Sequence, residues 1–466
     1  MNTVLFAIIA YVLTQFAIGA LVSRRVASEA DYILAGRRLG VGLVTFSVFA
    51  TYFGAEAIVA SGGAVYDKGL TGALVDPFGY AAAIVAVGLL FARALWARGL
   101  TTFADLFRQR YSARVEQLVV IVLLPGSVIW AAAQVRAFGQ VLSANSGLGL
   151  AAAIAFAAFL VAAYSVVGGL LADAVTDVVQ GVAVLAGLLV LGGVAAGELA
   201  GMTAPLSIAP ERVQLLRGDQ GWLAVLDELA IPVCGTVVAV ELISRFLGAR
   251  SANVARAGTL FGGIIYLLAG LIPVFLGLAA PRLIAGVPDP EQVIPRLAEA
   301  YLPGILYVAF AGAIISAILS AVHSALHAPA SQLSHNILVR LNPSLSEAGK
   351  LWCVRASVML LSVVAYLISA SSEHIHDLVE TASAFGSAGV FVTALFALFT
   401  RFGGPRSALA SVASGMLVWA AGKYLLFVSA PYLAGLAAAA AGYVGVALFE
   451  ARAWTPPAGD RGNRCV

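Results

Sequence analysis

Hydrophobic runs long enough to cross a membrane recur along almost the whole chain, and short polar segments separate them. About 20 apolar residues span a bilayer. Thirteen such runs can be counted, near residues 3–22, 40–64, 75–97, 115–143, 148–167, 174–196, 223–247, 255–280, 303–338, 351–370, 377–400, 405–428 and 431–450. The pattern predicts an all-α polytopic membrane protein. The first run, Val4–Val22, has no basic residues ahead of it and reads as a retained spanning helix, not a cleaved signal. The segment between the third and fourth runs, Thr101–Tyr111, reads as a short amphipathic helix at the membrane face, with Thr102 as its cap. The longest connections are 197–221 and 282–303, and Pro288, Asp289, Pro290 and Glu291 in the latter mark the start of a short surface helix. The tail after Trp454 is polar, carries Pro456–Pro457 and reads as disordered. One transmembrane domain over 1–454 with a short tail over 455–466 is expected, with no soluble domain attached.

One stretch breaks the pattern. Ala50–Leu70, ATYFGAEAIVASGGAVYDKGL, lies in the second run yet carries Glu56 and many small residues, among them Gly54, Gly62 and Gly63. A lipid-spanning helix has no use for a carboxylate, and burying one costs several kcal/mol unless it is paired or neutralised. Glycines let other backbones or a ligand approach closely. A polar, glycine-interrupted span is the pattern of a broken helix around a midplane binding site. A tightly packed helix with a hydrogen-bonded Glu56 would give the same local sequence.

Composition agrees with the membrane reading: 61% of residues are hydrophobic and 11% charged, against about 25% charged in soluble domains. Net charge is +3, but the distribution is more informative. With the N-terminus outside, 20 of the 27 Lys and Arg fall in cytoplasmic segments: Arg24, Arg25, Arg37, Arg38; Arg93, Arg98, Arg108, Arg110, Arg114; Arg245, Arg250, Arg256; Arg340, Lys350, Arg355; Arg401, Arg406; and Arg452, Arg461, Arg464. Five lie outside (Lys68, Arg212, Arg217, Arg282, Arg296), and Arg136 and Lys423 fall inside helices. A split of 20 to 5 follows the positive-inside rule and predicts an external N-terminus and a cytoplasmic C-terminus.

Within the runs stand Glu56, Asp76, Arg136, Asp177, Glu241, His323, His327, Glu380 and Lys423. Each should face the bundle interior or water. Arg136 and Lys423 are expected to compensate carboxylates, while Asp76, near an outer end, could be solvated. Several carboxylates on different helices suit a cation or proton pathway. In the ninth run Ser316, Ser320 and Ser324 recur every four residues and so share one helix face. They could serve helix packing, or offer oxygens to a hard cation such as Na⁺ beside carbonyls released at a helix break. His335 falls at the end of that run, and His374 and His376 fall in an external connection. The three cysteines are far apart and suggest neither a disulfide framework nor a metal site. No phosphate-binding loop, zinc-protease motif or nucleophile elbow is present, so an enzyme or a self-contained ATP-driven pump is not expected.

Several motifs in order resemble the sodium:solute symporter family, which includes bacterial proline, sugar, pantothenate and sialic-acid symporters. They are DYILAGRRLG (Asp31–Gly40), the Ala50–Leu70 stretch, TTFADLFRQRY, YSVVGGLLADAVTDVVQG (Tyr164–Gly181), SRFLGARSANVARAG (Ser244–Gly258) and SAILSAVHSALHAPASQLSHNI (Ser316–Ile337). The resemblance implies a LeuT-like fold with two inverted five-helix repeats over 40–196 and 223–400, two peripheral helices over 405–450, and discontinuous second and seventh helices. It places the second break at Gly235–Thr236. It also implies a Na⁺ site made by the backbone carbonyls of Ala50, Phe53 and Ala317 with the hydroxyl of Ser320, and Asp177 as a nearby negative charge. A second family hydroxyl position holds Ala321, which leaves protons carried by His323 or Glu56 as an alternative coupling ion. Solute contacts would fall on Ala57, Asp76 and Glu380, joined by Glu56 and Glu241. Ala57 replaces a polar residue and disfavours a sugar, and the three glutamates suit the amine of an amino acid or another cationic group. The implied function is Na⁺-coupled uptake of a small organic solute, such as an amino acid or similar metabolite, in a bacterial inner membrane. The alternatives are proton coupling and a solute sensor acting through a separate signalling partner. A small-molecule solute and the lipid bilayer are the partners implied, with no organic cofactor, nucleic acid or obligatory protein partner.

Overall fold

A computed structural model describes residues 13–19, 21–24, 26–202, 209–216, 221–284, 286–371 and 382–453. Among them every regular element is helical, apart from one isolated β-bridge between Leu39 and Ala249. The order is α1 (Leu13–Ser23), α2 (Glu29–Leu34), α3 (Val41–Tyr52), α4 (Ser61–Lys68), α5 (Tyr80–Ala86), α6 (Ala92–Ala97), α7 (Asp105–Arg110), α8 (Ala113–Ser146), α9 (Leu150–Val167), α10 (Leu170–Gly201), α11 (Pro210–Val213), α12 (Trp222–Val238), α13 (Val240–Leu247), α14 (Ala252–Leu283), α15 (Val293–Tyr301), α16 (Gly304–Gln332), α17 (Val339–Leu341), α18 (Glu347–Ser371), α19 (Ser387–Phe399), α20 (Pro405–Tyr424) and α21 (Pro431–Ala453). Nine helical segments among the described residues are long and apolar enough to cross a membrane, and Leu13–Ser23, Val41–Tyr52 and Leu150–Val166 are shorter apolar helices.

Two spans are broken. After α3, Phe53 leaves helical geometry (φ −85°, ψ 63°), and the chain resumes as a π-helical turn over Glu56–Ala60 before α4. Between α12 and α13 the single residue Ala239 is extended (φ −65°, ψ 114°). This second break falls three residues beyond Thr236, so the expected position at Gly235–Thr236 is corrected. Gly235 has another task. A Cβ there would lie 2.9 Å from the Ser383 carbonyl oxygen, so the glycine admits a neighbouring backbone within a continuous helix. The third run is also irregular. Asp76 is extended (φ −132°, ψ 120°) inside a π-helical stretch, Leu74–Gly79, and a second π turn covers Val87–Phe91. Such wide turns recur at functional sites.

Hydroxyls and carboxylates start the helices. Ser112 accepts the Val115 N–H at α8 and Ser251 accepts the Val254 N–H at α14. The Asp105 carboxylate, not Thr102, takes the free N–H groups ahead of α7, bonding the Thr101 and Thr102 amides at 2.9 and 3.0 Å. The Thr102 hydroxyl instead donates to Asn336 Oδ1 at 2.7 Å. The expected surface helix after Pro290 is present as α15, led by a turn that Asp289 caps.

Close packing positions the first break. Gly258 and Gly262 of α14 lie against Val44 and Val48 of α3. A Cβ on Gly262 would stand 2.7 Å from Val48 Cγ1 and 3.0 Å from the Thr45 carbonyl oxygen. Further along α14, a Cβ on Gly277 would meet the Gly62 carbonyl at 2.4 Å. Small residues four apart let two membrane helices meet at backbone distance. Gly262→Ala is therefore expected to lower the thermal midpoint of detergent-purified protein, by about 1–3 kcal/mol of overpacking. Gly193→Ala, which has open space around the added methyl, should leave it unchanged.

Candidate functional site

The end of α3 comes to a groove shared with α10 and α16. Gly54 turns its N–H to the Tyr52 carbonyl (2.9 Å), and the Ala55 N–H lies 3.4 Å from Gln134 Oε1. The N–H groups that a continuous helix would direct to the carbonyls of Ala50 and Thr51 are thus directed elsewhere. A Cβ on Gly54 would touch Gln134 Oε1 at 2.9 Å and Ala321 Cβ at 3.0 Å, so only glycine lets the break lie this close to α8 and α16.

In that groove Asp177 of α10 is fully buried. One carboxylate oxygen accepts from Ser320 Oγ of α16, and the other accepts from Ser47 Oγ of α3 at 2.6 Å. The sequence reading brought Asp177 and Ser320 together but missed Ser47. The signal was available, because Ser47 and Thr51 are four apart on α3, the same spacing that picked out Ser316, Ser320 and Ser324. Ala50, Phe53 and Ala317 are all buried. Ser324 donates to the Ser320 carbonyl at 3.0 Å, and Thr51 donates to the Ser47 carbonyl at 2.7 Å.

A second buried carboxylate, Asp173, sits one turn before Asp177. It pairs with Arg245 of α13, and neither side chain has any solvent exposure. Arg245 also donates through Nε to Thr51 Oγ1 at 3.0 Å and through Nη2 to Ser324 Oγ. Positive-inside counting placed Arg245 in a cytoplasmic segment; its side chain is fully buried and lies within the apolar segment Trp222–Leu247. His323 lies beside the pair, with Nε2 3.7 Å from Asp173 and Nδ1 3.1 Å from Ser165 Oγ. His327 stacks 5.5 Å from His323 and contacts the Tyr32 carbonyl at 3.1 Å.

The two breaks also flank a small cavity of about 70 Å³, several times the 10–15 Å³ that one water needs on that measure. Tyr52, Tyr80 and Trp130 wall it, with Tyr52 5.7 Å from each of the other two ring centroids. Glu241 and Thr236 line it from either side of the second break. Thr236 faces Tyr52 and the Glu241 carboxylate faces Ser127, while Glu241 Oε1 is buried without a close hydrogen-bond partner. Glu56 is half-buried and reaches Trp130 and Tyr80. Asp76 is buried, not solvated, and its Oδ1 accepts from Tyr266 OH at 2.8 Å. Ala57 is buried and does not line the cavity. No Lys, Arg or His is among the described residues that line it. Glu380, His374 and His376 lie outside the described residues. Arg136, expected to compensate a carboxylate, donates to the Ser369 carbonyl at 3.1 Å. On the other face of the Glu56–Ala60 turn, a larger cavity of about 770 Å³ meets Ala55 and Val59 and carries Asp289, Glu291 and Glu299.

Chemically, the groove offers a carboxylate and hydroxyl oxygens to a hard cation, and the cavity offers ring faces and carboxylates to an organic one. The model of the sodium:solute symporter family matches residues 32–415. The high-affinity choline transporter 1 of Caenorhabditis elegans is 26% identical over 372 residues, 76% of this chain and 64% of the relative. The human high affinity choline transporter 1 is 24% identical over 421 residues, 83% of this chain and 70% of the relative. The alignment with the nematode protein thus spans less than two thirds of that relative's length. The solved substrate-bound outward-open state of a Na⁺-coupled sialic acid symporter superposes with a TM-score of 0.84 at 14% identity, over 96% of this chain and 98% of that one. Mhp1, a nucleobase-cation-symport-1 family transporter, superposes with a TM-score of 0.64 at 14% identity, covering 92% and 96%. Both carry the LeuT-like arrangement.

Both hydroxyls at Asp177 serve one carboxylate, so their loss should not be independent. Ser47→Ala and Ser320→Ala are each expected to destabilise purified protein by about 1–3 kcal/mol, the usual effect of leaving a buried acceptor unsatisfied. A double-mutant cycle on thermal midpoints should give a coupling energy of at least about 0.5 kcal/mol. Additive losses would show that the two hydroxyls do not share the carboxylate.

Proposed function

The chain belongs to the sodium:solute symporter family, and from that membership we propose that it is a Na⁺-coupled symporter that takes up a small organic cation by alternating access. The single observation that carries the ion assignment is the Asp177 carboxylate, held by hydroxyls from α3 and α16 beside the break at Phe53. Each hydroxyl gives its proton to Asp177 and keeps lone pairs for an ion. The carbonyls of Ala50, Phe53 and Ala317 complete the oxygen set. Ser47 supplies the oxygen that Ala321 lacks.

The cavity between the breaks supports the class of solute. Tyr52, Tyr80, Trp130 and Phe385 line it, Glu241 stands in its wall with an unpartnered oxygen, and Glu56 reaches Trp130 and Tyr80. Ring faces and a carboxylate attract an ammonium head, most strongly when both are desolvated. No Lys, Arg or His is among the described lining, so a carboxylate there would find hydroxyls of Ser127, Thr236, Ser383 and Ser387 but no full positive charge. An amine or quaternary ammonium compound fits this chemistry better than a zwitterion, and relatives named as choline transporters agree with it. Two broken helices around a midplane site suit the rocking of one bundle against another.

Purified protein in liposomes should accumulate radiolabelled choline, used as the probe cation, under an inward Na⁺ gradient and not under an equal K⁺ gradient. Trp130→Ala is expected to weaken uptake affinity about 2- to 30-fold, the value of a lost cation–π contact. Glu241→Gln is expected to weaken it further. Accumulation driven by acid outside in the absence of Na⁺ would refute the Na⁺ assignment, and binding without accumulation would point to a sensor.

A further inference from the structure

We propose that the Arg245 guanidinium is a built-in cation that fills the second of two adjacent cation positions in the groove between α3, α10 and α16. On the Na⁺ reading above, on which this rests, the groove then takes one mobile ion where its carboxylates could balance two. Asp173 and Asp177 stand four residues apart on one face of α10, and both are fully buried. Asp177 is met by Ser47 of α3 and Ser320 of α16. Four residues further along each of the same helices, Thr51 and Ser324 meet the guanidinium instead, and Asp173 completes its surroundings. A carboxylate with one hydroxyl from α3 and one from α16 is therefore built twice in one groove. In one copy a tethered positive charge occupies the middle.

The charge balance has the same form. Two buried carboxylates call for two positive charges. Arg245 supplies one permanently, because a guanidinium does not deprotonate in proteins. The other titratable groups around the pair are His323, 3.7 Å from Asp173, His327 stacked on it, and the phenols Tyr164 and Tyr32 against those two rings. The tether also has a direction: Arg245 is carried by α13, the segment that follows the second break. The ion position at Asp177 and the second broken helix thus meet through one side chain.

Radiolabelled Na⁺ binding to the purified full-length chain, at constant ionic strength in K⁺, tests this. Arg245→Gln is expected to bind one more Na⁺ per chain than the wild type, because Asp173, Thr51 and Ser324 are left to a mobile ion. Arg245→Lys, which restores the charge, should bind the wild-type number. The pair Arg245→Gln with Asp173→Asn should also return to it. No gain in Arg245→Gln, or the same gain in Arg245→Lys, would overturn the proposal by assigning the residue a packing role alone. Where Arg245→Gln does not purify as folded protein, Asp173→Asn is read instead. It leaves the guanidinium to face Asp177 and should weaken Na⁺ binding about tenfold or more. Unchanged binding there overturns the proposal. A wild-type chain that binds no Na⁺ would overturn the symport reading itself, whatever Arg245 does.

Discussion

A helix that stops inside a membrane releases backbone groups that water cannot reach, and the rest of this structure answers to that constraint. Unsatisfied peptide groups in hydrocarbon cost several kcal/mol each, so such breaks persist only where protein or a cavity surrounds them. Here the chain breaks twice, at Phe53–Gly54 and at Ala239. Around the first, Gln134 accepts a stray N–H, and Gly54 leaves room for α8 and α16 to close in. Around the second, Gly235 admits the backbone at Ser383. Buried polar side chains gather at these two places, where the enclosed environment strengthens every attraction among them.

The Asp173–Arg245 pair illustrates how little freedom such a site has. Desolvating two charges is expensive, and a buried pair can be no more stable than an apolar substitute. Losing one partner is different, since it strands the other charge at a cost of about 3–5 kcal/mol. Arg245 spreads its donors over Thr51, Ser324 and Asp173, on three separate helices. The planar guanidinium suits that task because its N–H groups point in fixed, divergent directions. The assembly of α3, α10, α13 and α16 is therefore specified by hydrogen-bond geometry as much as by apolar packing.

Much of this was legible in the residues alone. Apolar runs give the spans because bilayer thickness fixes their length, and Glu56 with its flanking glycines marks the first break. Asp177 and Ser320 were paired through a family resemblance and meet in the structure. Other features lie beyond pattern reading. Gly235 and Ala239 are both small residues in an apolar run, and only the extended backbone at Ala239 shows which one breaks the helix. Arg245 stands at the end of an apolar run, where the sequence does not show whether a side chain turns out to water or inward to Asp173. Ser47 needed its partner: a serine in a membrane helix is common, and Asp177 opposite makes it specific. Thr102 resembles a cap, but its hydroxyl donates to Asn336 and its own N–H goes to the Asp105 carboxylate.

The lone β-bridge bears on how such a molecule moves. Leu39 accepts the Arg250 N–H at 2.9 Å and gives its own N–H to the Gly248 carbonyl at 3.1 Å. Leu39 lies two residues before the start of α3, and Gly248 directly follows α13. Two peptide hydrogen bonds therefore button together the half-helices that lead away from the two breaks on the same end of the bundle. The Arg245 contacts to α3 fasten the same two half-helices again, closer to the breaks. Half-helices far apart in sequence, α3 and α13, are thus tied in two places, with the breaks at Phe53 and Ala239 left as the free joints of the backbone beyond them.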